Sequence, residues 1–236
     1  MAPRRGPELP YSTVAAATPS RSKWLVASAK VQGGTFAPEP PKLYDTFLEV
    51  LDERPSFSSV VVYAPIGYRD SRDSGPRTCD LEARHMLGNR GSLIHNAPTL
   101  EVLRRGYAEP EDHLDAIAIQ RMAAYVEVFK EMSPYRQRQV YEGNPELSFY
   151  FLNDFTPLQL SKKTGEGRIE RMEILTKRVP NIATVLEAEI PGVSLRSLTD
   201  VAAMVASARR VFTKSAKRIP ADAEWDSEGL RMEIVY

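Results

Sequence analysis

The chain has 236 residues, 42% hydrophobic and 26% charged, which is ordinary for a globular protein of one large domain or two small ones. Its 31 basic and 31 acidic side chains cancel, which argues against a protein that coats DNA and leaves any nucleic-acid contact to local patches. No run approaches 18 uninterrupted apolar residues, so neither a transmembrane helix nor a membrane partner is expected.

The opening MAPRRGPELPYS is basic but lacks the apolar core of a signal peptide. Residues 1–10 read as a disordered arm and residues 11–236 as a single domain. A single cysteine, Cys79, excludes an internal disulfide and points to a reducing, cytoplasmic compartment.

In chain order, Ser12–Ala17 and Trp24–Val31 are short apolar runs separated by TPSRSK, as in a hairpin. Gly33 and Gly34 interrupt, and Thr35–Phe36 continues the second strand or starts a third. Leu43, Phe47, Val50 and Leu51 recur at helical spacing, which predicts a helix over Lys42–Asp52 ended by Pro55. Ser58–Tyr63 is a continuous β-branched run, the pattern of an interior strand covered on both faces. Arg69–Pro76 reads as an exposed loop. Helices are expected over Cys79–Leu87, Asp112–Met132, Gly165–Val179 and Leu198–Ala216. Gln139–Glu142 is a short strand, and Asn144-Pro145 caps a helix starting at Glu146. GLRMEIVY reads as a last strand or a docked tail. The alternation gives an α/β domain with a mixed sheet.

Several stretches together carry a resemblance: APIGY, then RTCDLEARHMLGNRGS, VYEGNPELSFYFL and SKKTGEGRIERMEIL, and finally GLRMEIVY. In this order the chain resembles a bacterial family of unknown function usually predicted to be RNase H-like nucleases, over roughly Tyr11 to Tyr236. That resemblance implies an RNase H-like fold, a twisted mixed β-sheet flanked by helices, with carboxylates at strand ends and on the last helix. Two-metal phosphodiester hydrolysis holds two Mg²⁺ ions about 4 Å apart, so three or four acids must converge.

The family pattern is incomplete here. Thr18, in AAATPSRSKW, stands where an aspartate of the first strand is expected, and Tyr63 where one is expected before P-I-G. On the long helix, Ala124 stands at the place of the family's lysine. Glu142 and Asp200 remain as the catalytic and metal-ligating candidates. A neutral phenol is a poor ligand for a hard cation. Two carboxylates hold one Mg²⁺ or Mn²⁺ weakly and do not assemble a two-ion clamp, unless Glu82, Asp80 or Glu146 substitutes in space. Other readings stand beside these. Ser197-Leu-Thr-Asp200 fits a capping box, Glu142 fits a surface strand residue, and Tyr63 fits a core tyrosine or a stacking platform.

The basic candidates are Arg77, Arg84 and Arg90 around Asp80, with Lys162, Lys163 and Arg168 in SKKTGEGR. Arg77, Asp80 and Arg84 share one side of a helix, as a phosphate site or as an Asp80–Arg84 ion pair. The Arg196–Arg218 segment is a solvated basic helix or a backbone-tracking patch. His85, His95 and His113 have no zinc spacing with Cys79. Cys79 and His85 diverge on one helix, and Ser92 with His95 lacks a nameable carboxylate orienter.

The expectation is a degenerate nuclease, a pseudoenzyme that keeps a basic cleft for nucleic acid, a nucleotide or another phosphate-containing ligand. Its rivals are an active Mg²⁺- or Mn²⁺-dependent nuclease with a compensating acid, and a non-catalytic scaffold.

Overall fold

Strand β1 (Ser12–Ser20) pairs antiparallel with β2 (Lys23–Gln32) around a two-residue turn at Arg21 and Ser22. The computed structural model describes residues 10–105 and 114–236, so all but Pro10 of the expected N-terminal arm lies outside the described residues. β3 (Thr35–Pro38) and β4 (Lys42–Tyr44) each pair with one half of β2. On the other flank of β1, β5 (Ser59–Val62) and β6 (Val140–Glu142) run parallel to it, giving the order β3-β2-β1-β5-β6. β1 is therefore central, and Val14 to Ala17 are wholly buried. Successive side chains of a strand point to opposite faces. Val14 and Ala16 enter one core, and Ala15 and Ala17 the other.

Helices cover both faces. One core takes residues of α6 (Pro145–Leu152), α7 (Gly165–Arg178), α8 (Ala183–Leu186) and α9 (Leu195–Phe212). The opposite core takes residues of α1 (Phe47–Leu51), α3 (Leu100–Arg104), α4 (Ala116–Gln120) and α5 (Met122–Glu131). A third core joins α2 (Thr78–Leu87) to a separate two-stranded sheet, β7 (Arg218–Trp225) with β8 (Arg231–Val235). A bridge between Gly143 and Val235 ties that sheet to the edge of the main one. Among the described residues no helix is long and apolar enough to cross a membrane.

Three expected helices have different bounds, each for a local reason. Lys42–Asp52 splits, because Lys42 to Tyr44 complete the edge of β2 and Thr46 then caps α1 by accepting from the Glu49 N–H. Of the long helix expected over Asp112–Met132, Asp112 and His113 lie outside the described residues; the described part begins its helix at Ala116, where Asp115 accepts from the Ile117 and Ala118 N–H groups, both at 2.9 Å, and breaks at Arg121. α9 begins one turn earlier than expected because Ser194, not Ser197, caps it. It stops at Phe212, near the left-handed Lys214, so the basic segment ends in strand β7 rather than in one helix.

Candidate functional site

The parallel pairing of β1, β5 and β6 ends in one row, with Ala17 opposite Val62 and Val62 opposite Glu142, while β1 runs on to Ser20 beside β2. Thr18 and Tyr63 follow immediately, and the Tyr63 N–H still donates to the Ala17 carbonyl at 2.8 Å. Carboxyl ends of strands are where open α/β sheets hold ligands. Two ionic networks meet there.

The first is centred on Arg77, which is 3% exposed. Its guanidinium grips Asp80 (Nε to Oδ2 3.0 Å, Nη2 to Oδ1 2.7 Å) and Glu142 (Nη1 to Oε2 2.8 Å, Nη2 to Oε1 2.7 Å). Nη1 also donates to the Gly67 carbonyl at 3.0 Å. Gly67 has a φ of 76°, and a Cβ there would lie 2.9 Å from the Arg231 carbonyl oxygen. Only glycine lets the P-I-G turn approach β8 this closely. Glu142 also accepts from the Ile66 N–H at 2.7 Å. It is a buried ion-pair partner rather than a surface strand residue. Burial pushes its carboxyl up to about 7 against the pull of Arg77, because two carboxylates share one guanidinium in a dry site.

The second network joins Glu146 to Asp200 through Lys162. Asn144 caps α6 and sets Glu146 in its first turn. Thr164 caps α7, and Gly167 lets its backbone close on Ser161, where a Cβ would lie 2.1 Å from the carbonyl oxygen. Lys162, between them, puts Nζ 2.7 Å from Asp200 Oδ2 and 3.6 Å from Glu146 Oε1. Glu146 also takes Arg171, wholly buried, at 3.0 Å and Arg90 at 3.4 Å. Burial pushes the Lys162 ammonium toward losing its proton, but Asp200, with Tyr63 and Glu146 nearby, outweighs it and holds the pKa above its usual value. Asp200 Oδ1 and Thr18 Oγ1 are buried without hydrogen-bond partners among the described residues.

Between the networks, the Arg121 guanidinium stacks 4.2 Å from the centre of the Tyr63 ring. His95 Nδ1 lies 3.1 Å from Asp115 Oδ2, so this histidine does have a carboxylate orienter. Burial lowers its pKa despite Asp115. Tyr63, His95, Tyr125, Asp80, Arg77 and Glu142 enclose a cavity of about 30 Å³, enough for one water molecule.

Divalent-metal chemistry needs oxygen ligands without competing cations. Glu142 faces Arg77, while Asp200 and Glu146 face Lys162. Among the described residues no three His, Cys, Asp or Glu side chains are grouped to hold an ion. This donor set does not fit a two-ion Mg²⁺ or Mn²⁺ clamp.

A larger cleft of about 310 Å³ adjoins the small cavity across Arg77 and Asp80. Arg69, Arg72, Arg84, Asn96 and Thr99 also line it. Arg69 is braced by Glu224 at 2.7 Å, and Arg84 by the Ile94 carbonyl at 3.2 Å and by Asn96. Arg72 is exposed. The Asp80–Arg84 ion pair expected from helical spacing gives way to Asp80–Arg77.

The cleft thus collects Arg77, Asp80 and Arg84 from the expected set. Lys162 and Arg90 are drawn into the Glu146 network, and Lys163 and Arg168 are exposed elsewhere. Arg69 and Arg72 sit in the loop expected over Arg69–Pro76, where two arginines three residues apart in turn-rich sequence are the signal that points to them. Cys79 is buried and burial pushes its thiol up, so it is no nucleophile. His113 lies outside the described residues.

A family model described as "Protein of unknown function (DUF429)" matches residues 19–225. No curated protein and no solved structure matches the chain.

Proposed function

Since the chain belongs to the DUF429 family, we propose that it binds a phosphate-containing ligand, a nucleotide or a nucleic-acid strand, in the arginine cleft and does not hydrolyse it by a divalent-metal mechanism. On this reading the mixed sheet with helices on both faces is an RNase H-like framework whose metal chemistry has been lost.

The observation that carries the reading is the Lys162 ammonium between Asp200 and Glu146. A cation fixed to the chain occupies the space that an ion bridging these carboxylates needs. Arg77 does the same for Glu142, and Thr18 and Tyr63 add no negative charge. A charge deficit of this kind cannot be repaired by small movements, because every retained acid already has its counter-charge.

The cleft itself supports an anionic ligand. Guanidinium forks match phosphate oxygens two at a time. Braced arginines also lose little freedom on binding. A volume of about 310 Å³ suits one nucleotide, free or at a strand end, rather than a duplex.

The test is fluorescence anisotropy with labelled single-stranded RNA and DNA, with mononucleotides as competitors, and a parallel cleavage assay in Mg²⁺ and Mn²⁺. The expected result is salt-sensitive binding, weakened roughly tenfold in Arg72→Ala/Arg84→Ala, and no cleavage. Metal-dependent cleavage that Glu142→Ala abolishes would establish the active nuclease instead. Absence of binding to every probe would leave the scaffold.

A further inference from the structure

We propose that the protein carries a second anion site, for a phosphate group, at the opposite end of the main sheet. Ser59 at the start of β5 donates to the Ala208 carbonyl near the end of α9 at 3.0 Å, so this end of α9 lies across the sheet from Tyr63. A pocket of about 340 Å³ opens there between the C-terminal ends of α7 and α9. Arg178, Arg209 and Arg210 line it with Phe36, Phe151 and Ser215, and among the described residues no aspartate or glutamate does.

The arginines are held in place. The Arg209 guanidinium lies 5.0 Å from the centre of the Phe36 ring and donates to the Gly34 carbonyl at 3.3 Å. The Arg210 guanidinium carbon lies 3.2 Å from the centre of the Phe151 ring, and Nη2 donates to the Ser215 carbonyl at 2.8 Å. Arg178 is ion-paired with Asp154 outside the pocket lining.

Arg210 is the informative residue. Its Nη1 is buried without a hydrogen-bond partner. Cations near a helix C-terminus are favourable in general, which accounts for arginines being there. It does not account for a half-buried guanidinium with one nitrogen buried and unpaired. Such a group costs free energy unless something completes it. Burial with no carboxylate beside it pulls the pKa of Arg210 down to about 10, which agrees with the geometry.

An anion in the pocket faces the side chains of Arg178, Arg209 and Arg210 with no carboxylate among the described lining residues to compete for them. A phosphate dianion has the charge and the oxygens for two-pronged contacts. A monoester fits the volume, as a free nucleotide or as the 5′ end of a strand. The site shares no residue with the Arg69–Arg84 cleft, so it stands or falls independently of the function proposed above.

The experiment uses the full chain carrying Arg72→Ala and Arg84→Ala, which disables the other cleft. Calorimetry and thermal melts are run with inorganic phosphate, AMP, and a short oligonucleotide with either a 5′-phosphate or a 5′-hydroxyl. Phosphate and AMP are expected to raise Tm. Adding Arg210→Met, which keeps a side chain over Phe151, should abolish that rise without lowering the ligand-free Tm. Adding Arg178→Ala, a half-exposed position that tolerates truncation, should weaken AMP binding roughly fivefold through lost charge-assisted hydrogen bonding. Binding of the 5′-phosphorylated strand but not the 5′-hydroxyl strand assigns the site to strand ends; binding of AMP alone assigns it to free nucleotides. No Tm rise with phosphate or AMP, or a rise that survives both Arg210→Met and Arg178→Ala, overturns the proposal.

Discussion

Lys162 Nζ lies 2.7 Å from Asp200 Oδ2, and the other oxygen of that carboxylate has no hydrogen-bond partner. Among the described residues, the Lys162 ammonium is the ion-pair partner of Asp200. Breaking a largely buried ion pair by removing one member costs about 3–5 kcal/mol, and both side chains here keep a little exposure. Lys162→Met is therefore expected to lose about 3 kcal/mol in urea denaturation. Lys162→Ala should also gain a Tm rise with Mn²⁺ that the unmodified protein lacks. An equal Mn²⁺ response in both would mean that the lysine does not exclude the ion.

Arg77 and Glu142 form the more deeply buried pair. Arg77→Ala strands Asp80 and Glu142 together and should cost about 3–5 kcal/mol, or prevent folding. Glu142→Gln keeps the shape and leaves Asp80 on Arg77, so its cost should be smaller. A double-mutant cycle with the Arg77→Met and Glu142→Leu changes should give a coupling energy of about 2 kcal/mol. A cycle that closes near zero would make the contact energetically idle.

The raised carboxyl of Glu142 sets a pH dependence whose sign is opposite to the usual acidic case. Its folded pKa, about 7, lies above the unfolded value near 4.5. The folded state therefore binds more protons between those two values, and stability falls as pH rises through that window. Glu146 and Asp115 have lowered pKa values and contribute the other way, losing stability only as pH drops toward the acid range. Urea melts at pH 5 and pH 7.5 should show a decrease in the unmodified protein that Glu142→Gln flattens. An unchanged slope in that variant would place the titration elsewhere.

Restoring the missing acids should not by itself restore a metal site. Thr18→Asp/Tyr63→Asp adds two carboxylates, one of them at Tyr63 beside Arg121 and near Lys162, cations ready to pair with it. Compared with this double variant, the triple change that adds Lys162→Ala is expected to bind Mg²⁺ more tightly by calorimetry. Tyr63 is partly buried and seats Arg121, so removing the ring could cost as much as roughly 3 kcal/mol, and circular dichroism must first show each variant folded. Equal Mg²⁺ affinity in the double and triple variants would show that charge count alone, not the lysine, limits binding.

Gly167→Ala tests the turn that delivers Lys162. A Cβ would sit 2.1 Å from the Ser161 carbonyl oxygen, a backbone atom that cannot swing aside. The expected cost is about 2 kcal/mol, with a change in Asp200 chemical shifts by NMR. A stable variant with those shifts unmoved would mean that the turn does not position the lysine.

Much of the architecture was legible because local signals agreed with the tertiary result. Asn144-Pro145 and Thr164 with its glycines start helices where their chemistry says they should. The β-branched run gave β5 within one residue at each end. Strand β7 was missed because RIPADAEW pairs only with β8, in a small sheet whose burial does not alternate cleanly. The capping-box alternative for Asp200 fails because Ser194 and Ser197 offer the same signal three residues apart, and Ser194 is the cap. At the site, single residues were legible but pairings were not. Spacing linked Asp80 to Arg84, whereas the partner it found, Arg77, also reaches Glu142, 65 residues away. Ion pairs between distant segments leave no periodicity in a sequence.

The central position of β1 bears on how the chain reaches this structure. Its hairpin with β2 is local and can form within microseconds. The helix that covers one of its faces comes much later, as the bond from Ser59 to Ala208 spans 149 residues. Closing so long a loop is slow, and non-local topologies fold late for that reason. In the interval, the Val14 and Ala16 face of an early hairpin has no cover. Refolding from denaturant should therefore lose yield as protein concentration rises, through association of chains that have a sheet but not yet α9.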